Sequence, residues 1–184
     1  MILRNGRVFI SHMPQDEVYF TSLVSRLTGR EIDCWSKIQP GDSDTQLSPK
    51  TLEEIAERDV FIRICTLASA RSGRMQLEAA ALRAKAQEDA VNGTPNKHVI
   101  IDLVMDSTGT PDPADKGYLT IDTLNRPMND WLVVLYNEMG KMQATRAMGR
   151  RTMTVVVTAC VVGGFIVVLA LLAFFVLFQG VFRF

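Results

Sequence analysis

The sequence predicts an α/β protein: a flavodoxin-like parallel sheet with helices on both faces, followed by one C-terminal transmembrane helix. Three observations support this fold class. Short apolar runs alternate with segments of helical periodicity, which is typical of a parallel sheet with crossover helices. Polar stretches containing glycine and proline separate these segments. A long uncharged stretch, 152–178, comes after them.

Five short apolar segments predict the strands of the sheet. In chain order these are Arg7–His12, Glu31–Trp35, Asp59–Leu67, Lys97–Met105 and Tyr118–Asp122. Because helices are expected between them, we predict that the strands run parallel. Ligands of such sheets bind beyond the carboxyl ends of the strands, which here lie near Ser11, Trp35, Leu67 and Met105.

Apolar residues at helical spacing predict four helices, three between strands and one after the last strand. The first helix carries a stripe at i, i+3, i+4 and i+7, formed by Phe20, Leu23, Val24 and Leu27. In the second, Ser48 and Pro49 suit an N-cap and the first helical position. That helix is expected to run through Leu52, Ile55 and Ala56. The third stripe is Met75, Ala79, Leu82 and Ala86, and the fourth is Trp131, Leu135 and Met139.

Charge and cysteine content exclude several classes of function. The 184 residues contain 20 Lys and Arg and 20 Asp and Glu, so there is no basic excess to favour a nucleic-acid partner. The three cysteines, Cys34, Cys65 and Cys160, form no CxxC pair. Neither a disulfide framework nor a metal site is therefore predicted. Cys34 and Cys65 lie in apolar runs and are expected to be reduced core residues.

The stretch 152–178 is expected to be a membrane anchor, because about twenty apolar residues suffice to cross a bilayer. Four basic residues precede it, Lys141, Arg146, Arg150 and Arg151, and only Arg183 follows it. This asymmetry predicts a single-pass protein of the cell membrane with its N-terminal domain in the cytoplasm. We therefore divide the chain into a domain at 1–142, a basic juxtamembrane linker at 143–151, the transmembrane helix at 152–178 and a short tail at 179–184. Membrane lipid is an expected partner.

Glu78 is a candidate functional residue. At about 100° per residue it lies roughly 60° from the centre of the apolar stripe of its helix, on the border between buried and solvent-exposed positions. The loop with Pro40, Gly41 and Asp42 follows a strand, and so does the segment before the Glu78 helix. Both are therefore expected at the ligand-binding edge of the sheet.

Common catalytic motifs are absent from the sequence. It contains no phosphate-binding GxGxxG or GxxxxGK[ST] and no GxSxG. The two histidines are His12 and His98. His98 begins a strand and is expected to be structural, whereas His12 follows the first strand and could contact a ligand. Ser11, Ser69 and Ser72 fit turns or helix caps better than nucleophiles.

Three segments carry a resemblance to a known family. "RVFISHMPQDE" resembles the opening box of a Toll/interleukin receptor (TIR) domain, and "IDCWSKIQPGDS" resembles its second strand and the loop after it, in a bacterial style. "DVFIRICTLASARSGRMQLEAA" is similar to the third strand and the helix that bears the family's glutamate, commonly Ser-x-Trp-[Cys/Val]-x-x-Glu. Ser72 and Glu78 match that spacing, whereas Arg74 stands in place of the tryptophan. The resemblance covers roughly Leu3 to Met142.

The resemblance implies an enzyme that cleaves the nicotinamide–ribose bond of NAD, giving ADP-ribose or a cyclised product in immune or antiviral defence signalling. Glu78 would be catalytic. NAD is then the substrate, and no cofactor is expected. The implied substrate-binding residues are Ser11, His12, Trp35, Lys37, Gly41, Ser72 and Arg74. Trp35 could instead be a core aromatic, and Arg74 could either bind a phosphate or mark a weakened enzyme.

The family also implies partners and a second function. TIR enzymes form their sites across assemblies, so we expect a homo-oligomer that is activated by clustering at the membrane. Many TIR domains, however, only recruit other TIR domains, and in that case Glu78 and Lys37 are ordinary surface residues. An unrelated flavodoxin-like binding module is a further alternative.

Overall fold

The computed structural model describes residues 6–93, 98–107 and 119–141. Contacts divide the chain into two units, Met1–Gly140 and Lys141–Phe184, and all described residues except Lys141 belong to the first. The predicted linker, the transmembrane segment 152–178 and the tail lie outside the described residues, so they stay predictions. Within the described ranges, no helix has the length and apolar character needed to cross a membrane.

Five parallel strands form one sheet in the order β2-β1-β3-β4-β5. They are β1 (Arg7–Ser11), β2 (Asp33–Trp35), β3 (Val60–Cys65), β4 (Val99–Val104) and β5 (Leu119–Asp122). This strand order is that of flavodoxin-like folds. The predicted α/β class and parallel sheet are therefore confirmed, and each strand lies within the segment predicted for it.

The described residues contain four α-helices. These are α1 (Glu17–Thr28), α2 (Pro49–Glu57), α3 (Gly73–Val91) and the helical residues 128–141, which we call α4. Ser48 caps α2 by accepting a hydrogen bond from the Thr51 N–H at 3.2 Å, as predicted. Ser72 caps α3 in the same way, through the Met75 N–H at 3.3 Å.

The helices cover both faces of the sheet. On one face, Ile55 of α2 and Leu82 of α3 pack with sheet residues Phe9, Phe61 and Ile100. The right-handed connection of parallel strands places α1 on the opposite face. There α4 contacts α1, since the Tyr136 hydroxyl donates a hydrogen bond to the carbonyl oxygen of Arg26 at 3.1 Å.

The helix predicted through Leu52, Ile55 and Ala56 is present as α2, but its buried face is only partly apolar. Ile55 is buried, but Leu52 is 44% exposed. Two polar residues, Thr51 and Glu54, take the buried positions instead. They can do so because Thr51 hydrogen-bonds Asp42 and Glu54 pairs with the buried Arg58, so neither polar group is left unsatisfied.

Candidate functional site

The start of α3 meets the carboxyl end of β1, at the edge where sheets of this kind bind ligands. Ser11 is the last residue of β1, and Glu78 lies in the second turn of α3. The Ser11 hydroxyl donates a hydrogen bond to Oε2 of Glu78. Nη1 of Arg74, one helical turn before, donates to Oε1. Both oxygens of the Glu78 carboxylate are thus bound by groups of the chain.

Glu78 is more deeply buried than its helical position predicts. The prediction placed it on the border between core and solvent, but it is only 1% exposed. The Arg74 side chain, itself buried, lies against the carboxylate, and its Nη2 donates a hydrogen bond to the carbonyl oxygen of His12. This arginine therefore covers the position that the helical wheel leaves open to water.

Burial dominates the electrostatics of Glu78. It raises the pKa of the Glu78 carboxyl above its ordinary value, because a buried charge loses its hydration. The charge of Arg74 and the hydrogen bonds from Ser11 and Arg74 act in the opposite direction. When ionised, this carboxylate interacts more strongly with a nearby cation than an exposed one would.

His12 contributes its main chain to the site, and its ring lies elsewhere. Successive residues of a strand point to opposite faces, so Ser11 faces α3 and His12 faces α1. The His12 ring stacks on Phe20 with centroids 4.0 Å apart, and burial lowers its pKa. His98 is buried with Nδ1 2.9 Å from the carbonyl oxygen of Arg58, an environment that suits the structural role predicted for it.

The loop between β2 and α2, residues 36–48, is ordered around Asp42; we call it the Pro-Gly loop. Gly41 has a φ of +96°, a conformation that favours glycine. The Asp42 carboxylate accepts three hydrogen bonds, from the N–H groups of Gln39 and Ser48 and the hydroxyl of Thr51, at 2.7–2.8 Å. Burial acts to raise the pKa of Asp42, but these hydrogen bonds outweigh it and lower the pKa.

The Pro-Gly loop is docked on the first turn of α3 through Asp44. Its Oδ1 accepts a hydrogen bond from the Arg74 N–H at 2.9 Å and lies 3.5 Å from the Ser72 hydroxyl. The main chains also approach closely, since a Cβ added to Gly73 would lie 2.4 Å from the Asp44 carbonyl oxygen. A glycine is therefore needed at position 73 for this contact.

Three predicted substrate-binding residues have their contacts elsewhere in the described part of the chain. Trp35 is half-buried and packs against the core cluster beneath α2 and α3, which favours the interpretation of a core aromatic. Its indole Nε1 is buried and has no hydrogen-bond partner among the described residues. Lys37 is exposed, and the carbonyl oxygen of Gly41 accepts from the Gln46 side chain at 3.4 Å. None of these contacts involves Glu78.

A buried ion pair that was not predicted from the sequence lies on the Glu78 side of the sheet. Arg63 of β3 stands in register between Ser11 of β1 and Asp102 of β4. The Arg63 guanidinium donates two hydrogen bonds to the Asp102 carboxylate, at 2.6 and 2.9 Å. The sequence does carry a signal for this pair. Two otherwise apolar strands each contain one charged residue, Arg63 in β3 and Asp102 in β4, and the two charges have opposite signs.

No metal site is present among residues 6–93, 98–107 and 119–141, where no group of three or more His, Cys, Asp or Glu side chains could hold an ion.

No protein-family model matches the chain, and no curated protein matches it either.

Proposed function

We propose that the chain is a membrane-anchored TIR-domain protein that cleaves the nicotinamide–ribose bond of NAD in defence-type signalling. The observation that carries this proposal is the placement of Glu78. Its carboxylate is buried at the ligand-binding edge of the sheet, beside the Pro-Gly loop and in contact with Ser11. The three sequence boxes supply the family, and 152–178 supplies the anchor that holds the domain on the cytoplasmic face.

The chemistry suits a single carboxylate. The electrons of the ribose–nitrogen bond leave with nicotinamide, whose cationic ring nitrogen becomes neutral, so no acid is needed to protonate the leaving group. The ribose becomes an oxocarbenium ion, which the Glu78 carboxylate would stabilise by charge and by hydrogen bonds to the ribose hydroxyls. Water then adds to C1′ and releases its proton.

Arg74 must move before NAD can reach Glu78, because its guanidinium occupies one carboxylate oxygen and covers the group. The Pro-Gly loop offers a means of moving it, since Asp44 binds the main-chain N–H of the same arginine. A neighbouring molecule that engaged the loop would withdraw Asp44 from the first turn of α3. We propose that clustering activates the protein in this way.

The full chain reconstituted in lipid vesicles tests the proposal. At a fixed total amount of protein, nicotinamide release from NAD should rise steeply with the density of protein per vesicle, because confinement raises the effective concentration of neighbours. The released nicotinamide is measured by chromatography. No release at any density would contradict NAD cleavage.

Replacing Arg74 by alanine should activate sparse, unclustered protein. Removing the guanidinium opens a path to Glu78, so we expect the rate of nicotinamide release at low density to rise by about tenfold or more. Arg71→Ala is the matched control, since Arg71 is exposed three residues earlier and should leave the rate unchanged. A fall in the rate for Arg74→Ala would show instead that Arg74 binds substrate.

A second candidate function is a TIR scaffold without catalysis. One observation favours it: Glu78 is fully paired within the chain and is inaccessible as it stands. The Pro-Gly loop would then be the docking element, with Lys37 exposed and Ile38 44% exposed. For a scaffold, Pro40→Ala should disrupt association in the vesicles while NAD remains uncleaved at every density.

A further inference from the structure

A cavity of about 400 Å³ lies between α1 and α4, on the face of the sheet opposite to Glu78. Arg26 is in the last turn of α1, and Arg30 follows in the connection to β2. This connection lies at the amino edge of the parallel strands, whereas Glu78 lies at the carboxyl edge. The cavity is therefore separate from the NAD site proposed above, and its volume falls within the range of small-molecule sites.

The polar lining of the cavity is rich in hydrogen-bond donors. Arg26, Arg30 and Asn129 line it, and none of the described residues that line it carries a carboxylate. The charges acting on the Tyr136 phenol are mainly those of the two arginines, which oppose the rise in its pKa caused by burial. Two guanidinium groups in one concave site, with no carboxylate in the described lining, favour an anionic ligand.

The cavity is also preorganised. The Arg30 guanidinium lies 4.0 Å from the centre of the Tyr136 ring, a cation–π contact that restrains it. The Tyr136 hydroxyl binds the carbonyl oxygen of Arg26 and so ties α4 to α1. Leu132, which is buried, adds an apolar surface to the lining. A ligand that suits both the arginines and this apolar surface carries an anionic head and an apolar or planar body.

We propose that this cavity binds a phosphomonoester with an organic body, held by Arg26 and Arg30. The forked guanidinium groups match the oxygens of a terminal phosphate, and Tyr136 and Leu132 contact the organic part. Such a group occurs on soluble nucleotides and on the headgroup of phosphatidic acid. The lipid is within reach in sequence, since α4 is followed by a short basic segment and then the apolar stretch 152–178.

Calorimetric titration of the full chain in neutral detergent tests the site with two probes, adenosine 5′-monophosphate and dioctanoyl phosphatidic acid. We expect saturable binding of at least one, and binding at least about tenfold weaker for Arg26→Gln and for Arg30→Gln. The probe that binds more tightly identifies the soluble or the lipid source. Adenosine, which lacks the phosphate, should bind at least about tenfold more weakly than its monophosphate.

Two control variants make the result specific. Arg83→Gln removes an exposed arginine of α3 that does not line the cavity, and it should leave the affinity unchanged. Glu78→Gln should also leave it unchanged, because Glu78 lies at the opposite edge of the sheet. Adenosine 5′-monophosphate is a fragment of NAD, and it is the weakening by Arg26→Gln and Arg30→Gln that separates this site from the proposed NAD site. Failure of both probes to saturate, or equal weakening by Arg83→Gln, would overturn the proposal.

Discussion

Replacing Glu78 with glutamine is expected to abolish nicotinamide release by the clustered protein, lowering the rate by at least about a hundredfold. Glutamine has nearly the same shape and can still bond both groups that bind the native carboxylate. Its amide oxygen can accept from Arg74, and its amide N–H can donate to the Ser11 hydroxyl. It lacks the negative charge that stabilises an oxocarbenium ion. The measurement is nicotinamide release from NAD in vesicles at the density that gives the highest native rate.

A second acid of the same helix provides the control. Asp89 is buried near the other end of α3 and is paired with Lys85 and His98. Like Glu78→Gln, Asp89→Asn removes the charge of a buried carboxylate, but Asp89 lies far along the helix from Ser11. Nicotinamide release should therefore persist in this variant. Release by Glu78→Gln at the native rate would refute a catalytic role for Glu78.

The pH dependence of release should carry the signature of this burial. Catalysis needs the ionised carboxylate, and burial raises the pKa of Glu78. Activity should therefore decline on acidification at a pH above the range of an ordinary glutamate, and recover on return to neutral pH. A rate that stays constant until the ordinary glutamate range is reached would indicate that Glu78 is solvated in the active assembly.

Local chemistry explains why so much of the fold could be predicted from the sequence. Apolar runs and helical stripes depend on neighbours in the chain, so the strand segments and the caps at Ser48 and Ser72 agree with the structure. The edge on which Glu78 lies followed from the alternation of strand and helix alone. Its degree of burial did not, because a helical wheel treats Arg74 as a solvated residue and cannot show that it lies against Glu78 and His12.

Contacts between distant segments account for the remaining differences. The docking of Asp44 on α3 requires Gly73, which reads locally as an ordinary residue at a helix start. Leu52 is exposed because Asp42 makes a polar group at position 51, nine residues after it, acceptable in the interior. Such pairings are fixed by the sheet and its loops rather than by the periodicity of one element, so a single sequence leaves them open.

Breaking the ion pair between Arg63 and Asp102 should have the largest effect on stability. Asp102→Ala is expected to lower the free energy of unfolding by about 3 kcal/mol. The Asp102 side chain is 1% exposed and that of Arg63 is 12% exposed. Removing the carboxylate therefore leaves a buried guanidinium without the anion that holds it by two hydrogen bonds. Urea unfolding followed by circular dichroism measures the loss as a lower midpoint at unchanged slope.

Removing both charges of the pair should cost less stability than removing one of them. Both charges lost their hydration on folding, and their attraction only partly compensates for that loss. The double variant Arg63→Met with Asp102→Leu removes both charges while filling the volume, so it should recover most of the stability lost in Asp102→Ala.

Glu53→Ala breaks a solvent-exposed pair with Lys50 and should change the midpoint little, because water screens such pairs. If Asp102→Ala were as mild as Glu53→Ala, the pair would not be structural. The double variant could also be no more stable than the single one. The charges of Arg63 and Asp102, which lie in a row with Ser11 beneath α3, would then be required for a reason other than folding. Because this row is close to Glu78, nicotinamide release by both variants would be the next measurement.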